Sequence, residues 1–177
     1  MRDIDLIRIW GRTKANAEKL AETLREELKV DVNVTSEAQA AVADADIICT
    51  TTSATTPVLE GSWLPLGCHV NLVGAAILTA AEADVEVVTR SRFFVDSRAS
   101  AMAQAGELNA AIEAGHVDES HILAEIGELL QTPEKGRSSD QDITVYKSLG
   151  VVAQDLASGL KAYQVAQEKN IGMELDW

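Results

Sequence analysis

Ile7-Arg8-Ile9-Trp10-Gly11-Arg12-Thr13-Lys14-Ala15-Asn16-Ala17-Glu18-Lys19-Leu20 runs from a short apolar strand through a Gly-Arg-Thr turn into a helix, and that order decides the fold. A parallel sheet places ligands at the carboxyl ends of its strands, so the turn is where the adenosine end of a dinucleotide sits. An acidic residue at that point holds a ribose 2′-hydroxyl. Arg and Thr suit a 2′-phosphate instead, through charge and a hydroxyl hydrogen bond. Six residues precede Ile7, and no Gly-x-Gly-x-x-Gly stands among them. The stretch therefore reads as the second strand of a doubly wound unit, and the chain as the back part of a larger protein.

Outward from this stretch, strands and helices alternate. Residues 4–10 predict a strand, and Thr13 is placed to cap the helix that follows. Ala17, Leu20, Ala21, Leu24 and Leu28 lie along that helix as an apolar stripe. Residues 30–34 alternate as a strand, Ser36 and Glu37 open a small Ala-rich helix reaching Ala43, and 46–52 form a buried strand ending in Thr50-Thr51-Thr52. Pro57, Gly61, Pro65 and Gly67 punctuate the way to a strand at 68–73, which ends on the small residues Gly74-Ala75-Ala76. Residues 80–88 read as a helix or irregular turn, 92–96 as a strand, and 99–114 as a helix stopped by Gly115. Beyond this point 121–130 has a helical apolar face (Ile122, Ile126, Leu129) and 136–141 is a polar loop. The stretch 143–169 reads as one long helix that can break at Ser148-Leu149-Gly150. The expected class is α/β, a partial Rossmann-like doubly wound parallel sheet over 1–117. A C-terminal helical segment, 118–177, is expected to pack on a further substrate domain or a second chain.

Composition narrows the function classes. The chain has 177 residues, 46% of them hydrophobic, with 15 basic against 28 acidic residues, a net charge of −13. Such a surface repels nucleic acid and acidic membranes, and Lys135-Gly136-Arg137 is the only basic patch. Cys49 and Cys68 sit in apolar runs, as buried free thiols of a reducing, cytoplasmic setting do. Neither has a second ligand at metal spacing, and His69, His116 and His121 are not metal-spaced, so no metal is expected. No apolar run reaches the length of a membrane span, and the charges of residues 1–10 do not suit a signal peptide.

Seven collinear runs carry a resemblance. They are Ile9-Trp10-Gly11-Arg12-Thr13, Pro57-Val58-Leu59-Glu60-Gly61-Ser62-Trp63, His69-Val70-Asn71-Leu72-Val73-Gly74-Ala75, Val95-Asp96-Ser97, Ala105-Gly106-Glu107-Leu108, Ala124-Glu125-Ile126-Gly127-Glu128-Leu129 and Thr144-Val145-Tyr146-Lys147-Ser148-Leu149-Gly150. Together they resemble the ornithine cyclodeaminase and mu-crystallin family of NAD(P)-dependent imine reductases, cyclodeaminases and alanine dehydrogenases. The resemblance implies an N-terminal substrate and dimerisation domain and a Gly-rich phosphate loop ahead of Met1, so the chain is expected to be N-terminally truncated. Cyclodeaminases proper carry a proton-transferring Asp and then a Lys where this chain has Ala76 and Ala80, which speaks against ornithine cyclisation. The implied activity is NADP(H)-dependent reduction of an imine by the full-length protein, with this chain inert alone and prone to associate. NAD-dependent ornithine cyclodeamination and non-catalytic NADPH or small-ligand binding are the alternatives.

Candidate cofactor contacts are Gly11, Arg12, Thr13, Thr51, Thr52, Asn71, Val73, Gly74 and Ser148, with Leu149 toward the substrate. Each has a plainer reading. Thr13 suits a simple N-cap and Arg12 a solvated loop charge. The threonines suit an ordinary strand end, the Val73-Gly74 pair suits helix–sheet packing, and Ser148 suits a helix start. Asp96 at a strand end reads as a turn former. No catalytic acid or base is assigned.

Overall fold

The computed structural model describes residues 3–173 and 175; Met1 and Arg2, at the start of the first expected domain, lie outside the described residues, as does the end of the chain at Trp177. In order the elements are β1 (Leu6–Ile9), α1 (Lys14–Leu28), β2 (Asp31–Val34), α2 (Ala38–Val42), β3 (Ile47–Thr50), β4 (His69–Leu72), α3 (Val85–Thr89), β5 (Ser91–Val95), α4 (Arg98–Gln104), α5 (Gly106–Glu113), β6 (Ile122–Glu125), α6 (Ile126–Gln131), β7 (Ile143–Lys147) and α7 (Val152–Lys169). Every strand pairing is parallel, and the strands alternate with helices as the doubly wound class requires.

The strands divide between two sheets. A five-stranded sheet has the order β3-β4-β7-β5-β6, and a separate pair is made by β1 and β2. The hydrophobic core belongs to the larger sheet. Val70, Leu72, Val87, Val88, Phe93, Val95, Leu108 and Val145 are wholly buried in it, and its buried members begin at Val42. The β1–α1–β2 unit contributes only Ala17, Ala21 and Val32 to the buried set, and none of them belongs to the core cluster. Between β1 and β3 lies a cavity of about 130 Å³, lined by Arg8, Trp10, Val42, Ile47, Cys49 and Leu59. A two-pronged Arg8–Asp44 ion pair spans from β1 to the turn before β3.

Two expectations of helix are corrected. Ile143–Lys147 is the central strand β7, hydrogen-bonded to β4 on one side and β5 on the other. A strand covered on both faces shows no alternation, and Ile143, Thr144, Val145 and Lys147 are all buried. The same stretch is β-branched at its first three positions, which suits a pleated sheet. Ile122–Glu125 is the edge strand β6, and the helix α6 starts only after it, with Glu125 and Glu128 forming a capping box. The apolar spacing of Ile122, Ile126 and Leu129 thus straddles a strand–helix junction. The five-stranded sheet accordingly runs across the division at 117/118.

The helix expected over 99–114 is broken at Ala105, whose extended ψ of 98° separates α4 from α5. Gly106 then meets the 78–80 segment so closely that a Cβ would lie 2.2 Å from the Ala80 carbonyl oxygen. Gly115 closes α5 as expected, at φ +72°, with its N–H on the Ile112 carbonyl. Helix α7 buries none of its residues, and Val152, Leu156, Leu160 and Tyr163 form an exposed apolar stripe along it. Among the described residues no helix is long and apolar enough to cross a membrane.

Candidate functional site

The carboxyl ends of the strands gather along one edge. At the end of β1, Gly11-Arg12-Thr13 turns into α1. Thr13 occupies the N-cap position, and its carbonyl accepts from the N–H of Asn16 and Ala17. Its hydroxyl, however, makes no capping bond. The expected side-chain cap is therefore absent. Two cations, Arg12 and Lys14, stand at this helix start with no acidic residue in the first turn. Lys14 is engaged with Glu18 at 3.4 Å, while Arg12 is exposed and has no carboxylate partner among the described residues. A helix N-terminus with an unpaired guanidinium beside it favours an anion.

Facing this turn are the residues beyond β3. A cleft of about 390 Å³ is lined by Trp10, Gly11, Arg12 and Thr13 on one side and by Thr51 and Thr52 on the other. The structure thus brings five of the expected site residues into one cleft, although they come from two different sheets.

The next strand ends lie alongside. The Val73 N–H reaches the Thr50 carbonyl at 3.0 Å, and the Ser148 N–H reaches the Leu72 carbonyl at 3.0 Å, so Val73-Gly74 and Ser148-Leu149 continue the same edge. Asn71 stands apart from them, inside β4, with its side-chain amide 3.6 Å from the Cys49 sulfur. Leu149 is half-buried against the core. Gly74 is open on one side. On the other, where a Cβ would sit, the Thr52 carbonyl oxygen lies 2.1 Å away, so glycine is required for the β3 and β4 exit loops to touch.

Beneath this edge is a buried charged network that the sequence did not reveal. Glu82 is wholly buried, and its carboxylate accepts from the Thr52 N–H at 2.6 Å, the Thr52 hydroxyl at 2.8 Å, the Thr50 hydroxyl at 2.8 Å and the Gly74 N–H at 2.6 Å. Burial pushes this carboxyl's pKa up, but the bonds from Thr52, Thr50 and Gly74 outweigh it and hold the group below the ordinary glutamate value. The Glu82 N–H donates to Glu107 at 2.9 Å. Lys147, at the end of β7, lies 3.3 Å from Glu107, and its ammonium also donates to the Ala75 carbonyl; both side chains of this ion pair are wholly buried. Asp96 at the end of β5 accepts from the Leu149 and Gly150 N–H groups at 2.7 and 2.8 Å. Its role is to hold the turn after β7, close to the turn-forming role expected of it. The one sequence signal for Glu82 was a carboxylate standing inside the Ala-rich run 80–83; Glu107 and Lys147 lay within quoted motifs but had no role.

The remaining candidates fall elsewhere. His69 Nδ1 lies 2.8 Å from the Thr144 hydroxyl, and His121 lies 2.8 Å from the Val88 carbonyl. Both cysteines are free thiols, but only Cys68 is buried; Cys49 is exposed, beside the cavity between β1 and β3, which corrects the expectation of two buried thiols. The basic Arg137 pins the polar loop by donating to the Gly67 and Asp142 carbonyls. Among the described residues no group of three His, Cys, Asp or Glu side chains gathers as a metal site.

Comparison with known proteins bears on the family and the fold. Residues 1–170 match the ornithine cyclodeaminase/mu-crystallin family. The ketimine reductase mu-crystallin of Macropus fuliginosus is 39% identical over 157 residues, covering 89% of this chain and 46% of that protein. The Thermococcus litoralis Delta(1)-pyrroline-2-carboxylate reductase, solved with NADH and L-proline, superposes with a TM-score of 0.92 at 32% identity, over 98% of this chain and 54% of that one. An archaeal alanine dehydrogenase dimer with bound NAD superposes with a TM-score of 0.86 at 29% identity, over 99% of this chain and 54% of its own. The chain spans about half the length of the curated relatives it matches.

Proposed function

The chain belongs to the ornithine cyclodeaminase/mu-crystallin family, and we propose that in its full-length form it is an NADP(H)-dependent reductase of a cyclic or secondary imine. The observation that carries this reading is the pairing of an Arg12 guanidinium, without a carboxylate partner among the described residues, with an uncapping Thr13 hydroxyl at the mouth of the 390 Å³ cleft. A 2′-phosphate satisfies both. Gly11, Arg12 and Thr13 hold the adenosine end, Thr51 and Thr52 line the middle of the cleft, and Val73-Gly74 and Ser148 border the nicotinamide end, next to Leu149 and the substrate. Asn71, turned to Cys49 inside β4, contributes only by carrying the strand that ends at Val73-Gly74. When bound, reduced nicotinamide supplies the hydride. The residues of this chain orient it, and orientation alone accounts for much of the rate in such a transfer.

The solved relatives hold NADH and NAD, so NAD is the alternative cofactor. Ornithine cyclodeamination is the weaker reading, because Ala76 cannot transfer a proton. Non-catalytic NADPH binding is the third reading, and addition of an imine to the NADPH complex separates it, since only a reductase consumes the bound cofactor.

By itself the 177-residue chain is inert and associates with itself. Support comes from its half-length coverage of its relatives and from β1 and β3, each of which ends a sheet with an unpaired edge. The exposed stripe of α7 supports packing against a substrate domain or a second subunit. Its two free thiols suit a cytoplasmic setting.

Titration of the chain with NADPH and NADH, followed by Trp fluorescence, tests the cofactor reading. NADPH is expected to bind more tightly, and Arg12→Ala to weaken NADPH about tenfold while sparing NADH. Equal affinity for the two in the native chain overturns the 2′-phosphate assignment. Turnover by a monodisperse monomer overturns inertness.

A further inference from the structure

We propose that Glu82 is the positioning residue of this cleft: one carboxylate holds the exit loop of β3 to the exit loop of β4 and so fixes the wall on which the cofactor lies. The proposal rests on the nicotinamide reading above.

Four donors converge on the two oxygens. Oε1 takes both the N–H and the hydroxyl of Thr52, and Oε2 takes the Gly74 N–H and the Thr50 hydroxyl. Thr52 lines the cleft directly, together with its neighbours Thr51, Ser53 and Ala54. Its hydroxyl also accepts from the Ala54 N–H at 3.1 Å, which shapes the rest of the loop. The missing Cβ of Gly74 lets the two loops close to contact. Glu82 itself is anchored from behind, its own N–H on Glu107, which pairs with Lys147; Lys147 in turn holds the Ala75 carbonyl. The loop after β4 is therefore gripped at two consecutive residues, Gly74 by Glu82 and Ala75 by Lys147.

Only an acceptor at both oxygens satisfies this arrangement. A carboxylate has no donor, whereas a carboxamide presents N–H₂ on one side. Threonine hydroxyls can rotate to accept from that group, but a backbone N–H cannot. A glutamine at this position therefore leaves either Thr52 or Gly74 with an unanswered, part-buried N–H, and the two loops part. The side chain is wholly buried and is not among the residues that line the cleft, so its effect passes through Thr52 and Gly74.

The test uses the ¹⁵N-labelled chain and Glu82→Gln. The backbone amide signals of Thr52 and Gly74 are expected to move, and exchange of the amides in 51–54 and 73–76 to accelerate tenfold or more on the order of magnitude set by one lost buried hydrogen bond. Amides of β4, β5 and β7 are expected to keep their protection. NADPH affinity is expected to fall about tenfold with the NADPH-over-NADH preference kept, because that preference resides at Arg12. Unmoved Thr52 and Gly74 signals overturn the proposal, as does an even loss of protection across the whole sheet, or unchanged NADPH affinity once the loop amides have moved.

If the variant does not fold, acid titration of the native chain decides. The Thr52 and Gly74 amides are expected to shift together with a single midpoint below the ordinary glutamate range, and separate midpoints overturn the clamp. The other charged groups packed into this network are Glu107 and Lys147, so their signals are followed in the same titration. Failure of the native chain to bind either nucleotide removes the cofactor reading, while the amide data still decide whether the clamp exists.

Discussion

The β1–α1–β2 unit and the five-stranded sheet are built from the same materials and hold together in different ways. Both consist of short parallel strands with helical cover. In the larger sheet the inner strands β4, β7 and β5 are paired on both sides, and the core cluster begins at Val42. In the smaller unit each strand has one partner, and burial amounts to two alanines and a valine. The difference shows that strand sequence alone does not make a core. A strand becomes core when neighbours on both edges let both of its faces be covered.

The largest expected effect separates the regions through their charges. Lys147→Met leaves the buried Glu107 carboxylate without its cation, and loss of one partner of a buried pair costs about 3–5 kcal/mol. Urea unfolding should show that loss in the signal of the five-stranded sheet. An unchanged midpoint breaks the claim that this sheet carries the stability of the chain.

Next in size is local opening. Amides of β1 and β2 are expected to exchange on the order of a hundredfold faster than those of β4 and β7, since the small unit has few buried contacts to lose. Equal protection in the two regions shows them to be one cooperative body.

The same substitution made in each region sharpens the contrast further. Gly106→Ala places a Cβ 2.2 Å from the Ala80 carbonyl oxygen, a backbone atom with little room to move, and should cost about 1–3 kcal/mol. Gly11→Ala brings a Cβ only to ordinary contact, 3.8 Å from Ala17, and should change stability by less than about 0.5 kcal/mol. Thermal melts of the two variants check both values.

Acid has the smallest effect. Glu82 is held below the ordinary glutamate value of about 4.5, so its contribution is complete above that pH and is lost as pH falls through the lowered value. Stability measured between pH 6 and pH 3 should drop more steeply for the native chain than for Glu82→Gln. Parallel curves show that the carboxylate adds nothing to folding.

Legibility in the sequence followed the same division. β2, with one open face, was plain from the alternation of Val32 and Val34; β3 was read as a strand from its apolar run, but as a buried one, whereas Ile47 and Cys49 are exposed. β7 was hidden because it is covered on both faces, and β6 because Ile122 and Ala124 run straight into the helical spacing of α6. In the site, Gly11, Arg12, Thr13, Thr51 and Thr52 were readable from local turn chemistry, and the structure places them in one cleft. Glu82, Glu107 and Lys147 were not. Most of their partners lie 25 or more positions away along the chain, and no local pattern announces a buried carboxylate whose donors come from the ends of two other strands.

Trp10 lines the cleft beyond β1 and also lines the cavity between β1 and β3. One indole thus serves as a shared partition between two rooms. Any change in the position of that residue changes the shape of both spaces together. A Trp10→Phe variant should therefore alter the walls of both spaces at once, where substitution of a residue that lines one of them alone reaches only that one.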